Sequence, residues 1–147
     1  EDYAKYPPYL LSGGQKQKIC IASLLAMQPA YLILDEPFSM LDPRDRKELL
    51  ALLLTMRRKL NITLILITHK LEDAIKADQI IIMEQAEIIK ATHPREILKM
   101  GTRIACLGIE PLESSGFIEQ LERETGVSLA YDITEIESLV EAICHLS

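Results

Sequence analysis

Apolar and polar positions along the chain change period several times, and each change marks an element. Ile19, Ile21, Ala22, Leu24 and Leu25 fall on helical positions and predict a helix over residues 16–28, closed by Gln28-Pro29. Tyr31-Leu32-Ile33-Leu34 is a short continuous apolar run, the pattern of a parallel strand buried on both faces. Leu49, Leu50, Leu53, Met56 and Leu60 return to helical spacing from Pro43 to about Lys59, where Asn61 breaks the pattern. Asp42 suits the N-cap of that helix and Pro43 its first position. Ile62 to Ile67 is a second strand-like run, ending at Thr68-His69. A short helix over 71–77 follows, then a strand at Ile80–Met83. Glu87–Lys90 pairs with that strand as a hairpin through Gln85-Ala86, and Pro94 to Met100 forms one more helix. Strands alternating with helices indicate an α/β arrangement.

After Gly101 the character changes. A helical pattern with Phe117, Ile118 and Leu121 runs from Glu110-Pro111 to Thr125 and is closed by Gly126. Thr134 to Leu146 is a second helix, opened by a capping box of Thr134 and Glu137. The expected organisation is therefore a domain over residues 1–101 and a small helical segment over 102–147.

Composition narrows the class. The 147 residues are 48% apolar, enough for a buried core. A net charge of −6 without a long basic run argues against nucleic acid as the main partner. The longest uncharged stretch, Ile19 to Leu34, is interrupted by Gln28-Pro29 and is too short to span a bilayer. The three cysteines, Cys20, Cys106 and Cys144, are widely spaced and read as buried free thiols. His93 and His145 have no evident partners and read as surface residues. The chain opens on Glu1 rather than Met, and Tyr3, Tyr6, Pro7, Pro8 and Tyr9 look like the middle of a longer sequence, so a fragment is expected.

The polar groups that interrupt this pattern carry the chemistry. Leu11-Ser12-Gly13-Gly14-Gln15 precedes the first helix, with two glycines that permit a tight turn. A helix N-terminus with a serine hydroxyl favours an anion such as phosphate, though such a loop can also merely start a helix. Twenty residues after Gln15, the first strand ends in Asp35-Glu36, two carboxylates that strand alternation sends in different directions. Thirty-four residues after Asp35, the second strand ends in His69. In open parallel sheets, ligands bind at the strands' carboxyl ends.

Taken in order, these motifs resemble the C-terminal half of an ABC transporter ATPase. Leu11–Gln15 is similar to the family signature, Tyr31–Glu36 to the Walker B strand and its following glutamate, Ser39–Asp42 to the D-loop, and His69 to the switch histidine. The resemblance runs from about Pro8 to Leu98 and implies a partial P-loop NTPase fold of three layers, lacking its N-terminal half. It implies ATP and Mg²⁺ as cofactors. Asp35 would hold the metal, Glu36 would act as general base on the attacking water, and His69 would contact the γ-phosphate. Leu11, Ser12, Gly13, Gly14 and Gln15 would close over the ATP of a second subunit in a head-to-tail dimer. Asp42 would link the two sites.

No G-x-x-x-x-G-K-[ST] occurs in the chain, so it is expected to be inactive by itself and to leave an apolar sheet edge exposed. Gln85-Ala86 and Thr92-His93-Pro94 stand where the family usually places glycine-containing turns. Pro8 to Lys18, Leu25 to Pro29 and the segment Thr134 to Leu146 are similar to the energy-coupling factor (ECF) ATPases. That branch implies ATP-powered uptake of a vitamin or transition-metal ion, at the cytoplasmic face of the cell membrane. Its partners would be a transmembrane T-component and a substrate-binding S-component. The competing readings are an ATPase of another ABC branch and a catalytically inactive fragment that dimerises through its signature face.

Overall fold

The helix that follows Gly13-Gly14 begins earlier than its apolar spacing indicates. In the computed structural model, which describes residues 7–126, α1 spans Gly13–Ala26 and both glycines lie inside it. A 3-10 turn at Pro8–Leu10 leads into it. The remaining elements are β1 (Tyr31–Asp35), α2 (Pro43–Leu60), β2 (Thr63–Ile67), α3 (Leu71–Ala74), β3 (Ile80–Glu84), β4 (Glu87–Thr92), α4 (Pro94–Leu98) and α5 (Glu113–Thr125). A 3-10 stretch at Gly101–Leu107, which the apolar pattern did not reveal, joins α4 to the segment before α5. The expected helix at Thr134–Leu146 lies outside the described residues, as do Tyr3, Tyr6, Cys144 and His145. The described chain divides into two compact units between Thr68 and His69.

In the first unit, β1 and β2 pair in parallel, with Ile33 opposite Ile65 and Asp35 opposite Ile67. Parallel neighbours need a crossover, and α2 supplies it. Leu32 and Leu34 of β1, Ile21 of α1, Phe38, and Leu49, Leu50 and Leu53 of α2 form one apolar core. Leu53 is almost fully enclosed, and truncating such a leucine to alanine costs about 2–5 kcal/mol. The two strands are not buried on both faces. Leu32 is 4% exposed, whereas Ile33 is 60% exposed, and Tyr31, Ile65 and Ile67 lie open with it. Helices α1 and α2 pack on one face only, so the alternate side chains of each strand meet no apolar layer among the described residues. The thiols also depart from expectation: Cys20 and Cys106 are free but exposed.

Helix α2 is bounded as its sequence dictates. The Asp42 carboxylate accepts from the Asp45 N–H at 2.8 Å, with Pro43 in the first turn. Asn61 closes the helix in the left-handed region, φ 51°, where asparagine is better tolerated than most residues. A Lys18–Asp45 ion pair of 2.9 Å ties α1 to the first turn of α2.

In the second unit, β3 and β4 form an antiparallel hairpin with an irregularity between Ile82 and Met83. Ile80 and Ile82 pack with Leu71, Ile97, Leu98, Ile104 and Leu112. His93 is not a bystander: its Nδ1 accepts from the Arg95 N–H at 3.2 Å and caps α4. Glu119 of α5 accepts from both the N–H and the hydroxyl of Thr102, at 2.7 and 2.8 Å. Those two bonds hold the Glu119 carboxyl below its ordinary value of 4.5.

The hairpin turn places Gln85 (φ 48°) and Ala86 (φ 65°) in the left-handed region, as a two-residue turn matching the strand twist requires. Neither residue favours it, so replacing Gln85-Ala86 by Asn-Gly is expected to raise stability by about 1 kcal/mol, read as the urea midpoint. Glu119 supplies a second expectation. Its folded-state carboxyl is lowered, so its stabilisation is fully present above about pH 4.5 and is lost as pH falls through the folded value. Glu119→Gln is therefore expected to destabilise the chain at pH 7 and to differ little from the parent in strong acid, measured by thermal melts across pH.

Candidate functional site

Ser12 is the N-cap of α1, and its side chain forms a capping box with Gln15. The Gln15 N–H donates to Ser12 Oγ at 3.2 Å, and the Ser12 N–H donates to Gln15 Oε1 at 3.0 Å. The Lys16 N–H reaches the Ser12 carbonyl at 3.0 Å. Two of the first N–H groups of the helix, those of Gly13 and Gly14, have no intrahelical acceptor by virtue of their position. Ser12 Oγ uses a lone pair toward Gln15 and keeps its hydrogen to donate elsewhere. Ser12 and Gly13 are exposed, whereas Leu11 is buried and anchors the approach to the helix.

The glycines serve close packing rather than an unusual backbone angle. Neither Gly13 nor Gly14 has a positive φ. A Cβ on Gly14 would stand 2.8 Å from Leu41 Cδ2 and 3.4 Å from the Met40 carbonyl. A Cβ on Gly13 would stand 3.1 Å from Met40 Sδ. The loop Ser39–Asp42 therefore lies directly on the first turn of α1, which the linear sequence does not disclose. Ser39 anchors the loop, its N–H and hydroxyl donating to the Glu36 carbonyl at 3.2 and 3.1 Å. The Leu41 N–H closes it onto the Phe38 carbonyl at 3.2 Å, and Asp42 ends it as the cap of α2.

Asp35 is the last residue of β1 and is exposed. Glu36 leaves the strand at φ 43°, a conformation that costs a non-glycine residue about 1 kcal/mol. Its N–H donates to the Ile67 carbonyl at 2.9 Å, so β2 holds the kinked residue in place. No group of three or more metal-ligating side chains occurs among the described residues.

His69 opens the second unit and is half exposed. Its carbonyl accepts from the Glu110 N–H at 2.7 Å, and the Leu71 N–H donates to the Glu110 carbonyl at 3.1 Å. Glu110 Oε2 lies 3.9 Å from His69 Nε2 and 3.4 Å from Lys70 Nζ. Glu110 stood in the sequence as the start of a helix. The structure delays that helix to Glu113 and gives Glu110 to a bridge with Lys70. Pro111 was the available signal, since the residue before a proline is biased toward extended backbone.

Comparison with known proteins adds the following. Residues 1–39 match a family model described as ABC transporter. The chain is 41% identical over 145 residues to the energy-coupling factor transporter ATP-binding protein EcfA of Syntrophomonas wolfei, a match covering 99% of this chain and 53% of that protein. It is 41% identical to EcfA1 of Clostridium perfringens, covering 99% of this chain and 51% of that one. The chain thus spans about half the length of the curated relatives it matches. Among solved structures, cbiO1 from Clostridium perfringens, part of the ABC transporter complex cbiONQ, is similar with a TM-score of 0.62 and 30% identity, over 86% of this chain and 45% of that one. The dimeric post-hydrolysis structure of the ATP-binding cassette MJ0796, bound to ADP and Pi, is similar with a TM-score of 0.60 and 29% identity, over 65% of this chain and 41% of that one.

The fit between α1 and the 39–42 loop can be tested by a double-mutant cycle. Gly14→Ala and Leu41→Ala are each expected to destabilise the chain, and the pair to be less harmful than their sum by about 1 kcal/mol. Additive values from urea unfolding would show that the two residues do not share the space between them.

Proposed function

We propose, for a chain that carries part of an ABC transporter ATPase domain and is close to the ECF transporter ATP-binding proteins, that it completes the ATP site of a second ATPase subunit. The observation that carries this reading is the first turn of α1. The N–H groups of Gly13 and Gly14 and the Ser12 hydroxyl stand at an exposed helix start, where they can donate to a γ-phosphate presented by a partner. The capping box fixes these donors, and the Ser39–Asp42 loop lies against the same turn. Asp42 is thereby in a position to couple the composite site to the carboxylates after β1.

On this reading Asp35 and Glu36 belong to the chain's own nucleotide site. Asp35 would hold Mg²⁺ together with the nucleotide phosphates, and the ion's charge would offset that of the phosphates. Glu36, held in its kink by Ile67, would orient a water and accept its proton. His69 would donate to the γ-phosphate. The phosphate-cradling G-x-x-x-x-G-K-[ST] loop does not occur within these 147 residues, so that site requires sequence outside them.

The identity to EcfA proteins across 99% of the chain supports the energy-coupling branch. The work performed would be uptake of a vitamin or transition-metal ion. A second ATPase subunit, a transmembrane T-component and a substrate-binding S-component would complete the assembly at the cytoplasmic face of the membrane. No described helix is long and apolar enough to cross a membrane. Residues 1–101 would form the ATPase part and 102–147 the appended segment.

The test is stimulation in trans. Added to an intact ABC ATPase subunit, the chain is expected to raise its ATP hydrolysis. Ser12→Arg, which puts a bulky cation among the donors, is expected to abolish the stimulation at a temperature where the chain stays folded, although loss of the α1 cap lowers its melting temperature by a few degrees. Unchanged stimulation by Ser12→Arg would remove the signature assignment.

A further inference from the structure

Side chains on β1 alternate throughout: Leu32 and Leu34 are buried, and Tyr31, Ile33 and Asp35 are exposed. In β2, Thr63, Ile65 and Ile67 are exposed, and the residues between them are partly buried. The parallel register sets Tyr31 beside Thr63, Ile33 beside Ile65 and Asp35 beside Ile67. Paired residues share a face, so these six side chains form one surface, opposite the core built with α1 and α2. Its floor is apolar, and a carboxylate stands at its rim, at the carboxyl ends of the strands.

General constraints on parallel sheets say what covers such a surface. Parallel strands occur almost only where both faces are covered, and the covering layers are helical. Among the described residues, helices cover one face of this pair. The match to EcfA covers 53% of that protein, so about half of its length lies outside the match. A helix laid antiparallel on these strands, as a crossover helix is, has its N-terminus at their carboxyl ends, beside Asp35. A helix start of that kind favours both a carboxylate and a bound phosphate. Two copies of this chain set face to face would instead enclose two Asp35 carboxylates with no cationic side chain among the six residues, which is costly.

We infer that the outer face of β1 and β2 is a docking surface for a helical layer from the part of the EcfA relatives that this chain does not span. The same layer brings the phosphate-cradling loop to Asp35. Placing the loop there rests on the reading of Asp35 as the metal-holding residue; docking of the layer on Ile33, Ile65 and Ile67 does not. The contact is apolar and therefore forms without nucleotide. It differs in this from the contact proposed at the start of α1, where the donors await a phosphate. The first unit thus has two docking faces with opposite nucleotide dependence.

The experiment joins the chain to the part it does not span. The chain replaces the matched 145 residues of the Syntrophomonas wolfei EcfA, with a protease site before Glu1, and the purified protein is cut there. The two pieces are expected to stay together in size-exclusion chromatography, with or without Mg-ATP. Ile33→Asp combined with Ile65→Asp is expected to separate them. Leu52→Asp, at an exposed apolar position of α2, is expected to leave them together. Both isoleucines are exposed in the chain by itself, so the two aspartates should leave its circular dichroism unchanged. If that variant does not fold, Ile33→Cys decides the matter. Its thiol should react with a maleimide in the chain alone and be protected in the cut complex, read peptide by peptide because Cys20 and Cys106 are also exposed. The inference is overturned by pieces that separate in the parent, by pieces that stay together despite the aspartates in a folded chain, or by a thiol at position 33 equally reactive in both states. A chain that dimerises alone, and loses the dimer with the same aspartates, assigns the face to a second copy and also overturns it. Every readout can be made without nucleotide, so trans-stimulation that survives Ser12→Arg would remove the signature reading while leaving this result standing.

Discussion

The first unit depends on one close approach, that of the 39–42 loop to the opening turn of α1. Leu41 and the Met40 carbonyl occupy space that a side chain at residue 14 would need. A Cβ at residue 14 would force Leu41 to shift, and one at residue 13 would crowd Met40. The close approach joins the end of β1, through Ser39 on the Glu36 carbonyl, to the helix whose first N–H groups are the candidate phosphate donors. Asp42 then starts α2, and α2 covers the inner face of β1 through Leu49, Leu50 and Leu53. Core, loop and candidate site are thus contiguous in the first unit.

A second constraint acts within the second unit. The main-chain pairing of Glu110 with His69 and Leu71 gives the histidine a fixed base, and the adjoining core of Leu71, Ile97, Ile104 and Leu112 holds the two segments together. Glu119 on Thr102 ties α5 to the 3-10 stretch before it. The segment from Glu110 into α5 is thus linked to a candidate functional residue.

Much of this was legible in the sequence, for reasons that can be named. Asp42-Pro43, Asn61 and Gly126 mark helix boundaries by local chemistry, and local chemistry survives any tertiary context. The apolar runs of β1 and β2 specify parallel strands, but they cannot tell which face a layer will cover. Tyr31, Ile33, Ile65 and Ile67 are open because the described helices pack on the opposite face. The pair Gly13-Gly14 signalled a special backbone site, whereas its use for close packing became visible only with Leu41 beside it. Glu36's left-handed backbone and Glu110's position beside His69 depend on partners distant in sequence, Ile67 and His69, and no local pattern carries them.

The central claim is that the start of α1 is half of a nucleotide site whose other half lies on a partner. The most direct measurement is association of the chain with an intact, hydrolysis-deficient ABC ATPase subunit, followed by sedimentation with and without Mg-ATP. The account predicts a complex that forms with Mg-ATP, dissociates on its removal, and is lost in Ser12→Arg. A complex equally strong without nucleotide, or indifferent to Ser12→Arg, would contradict it.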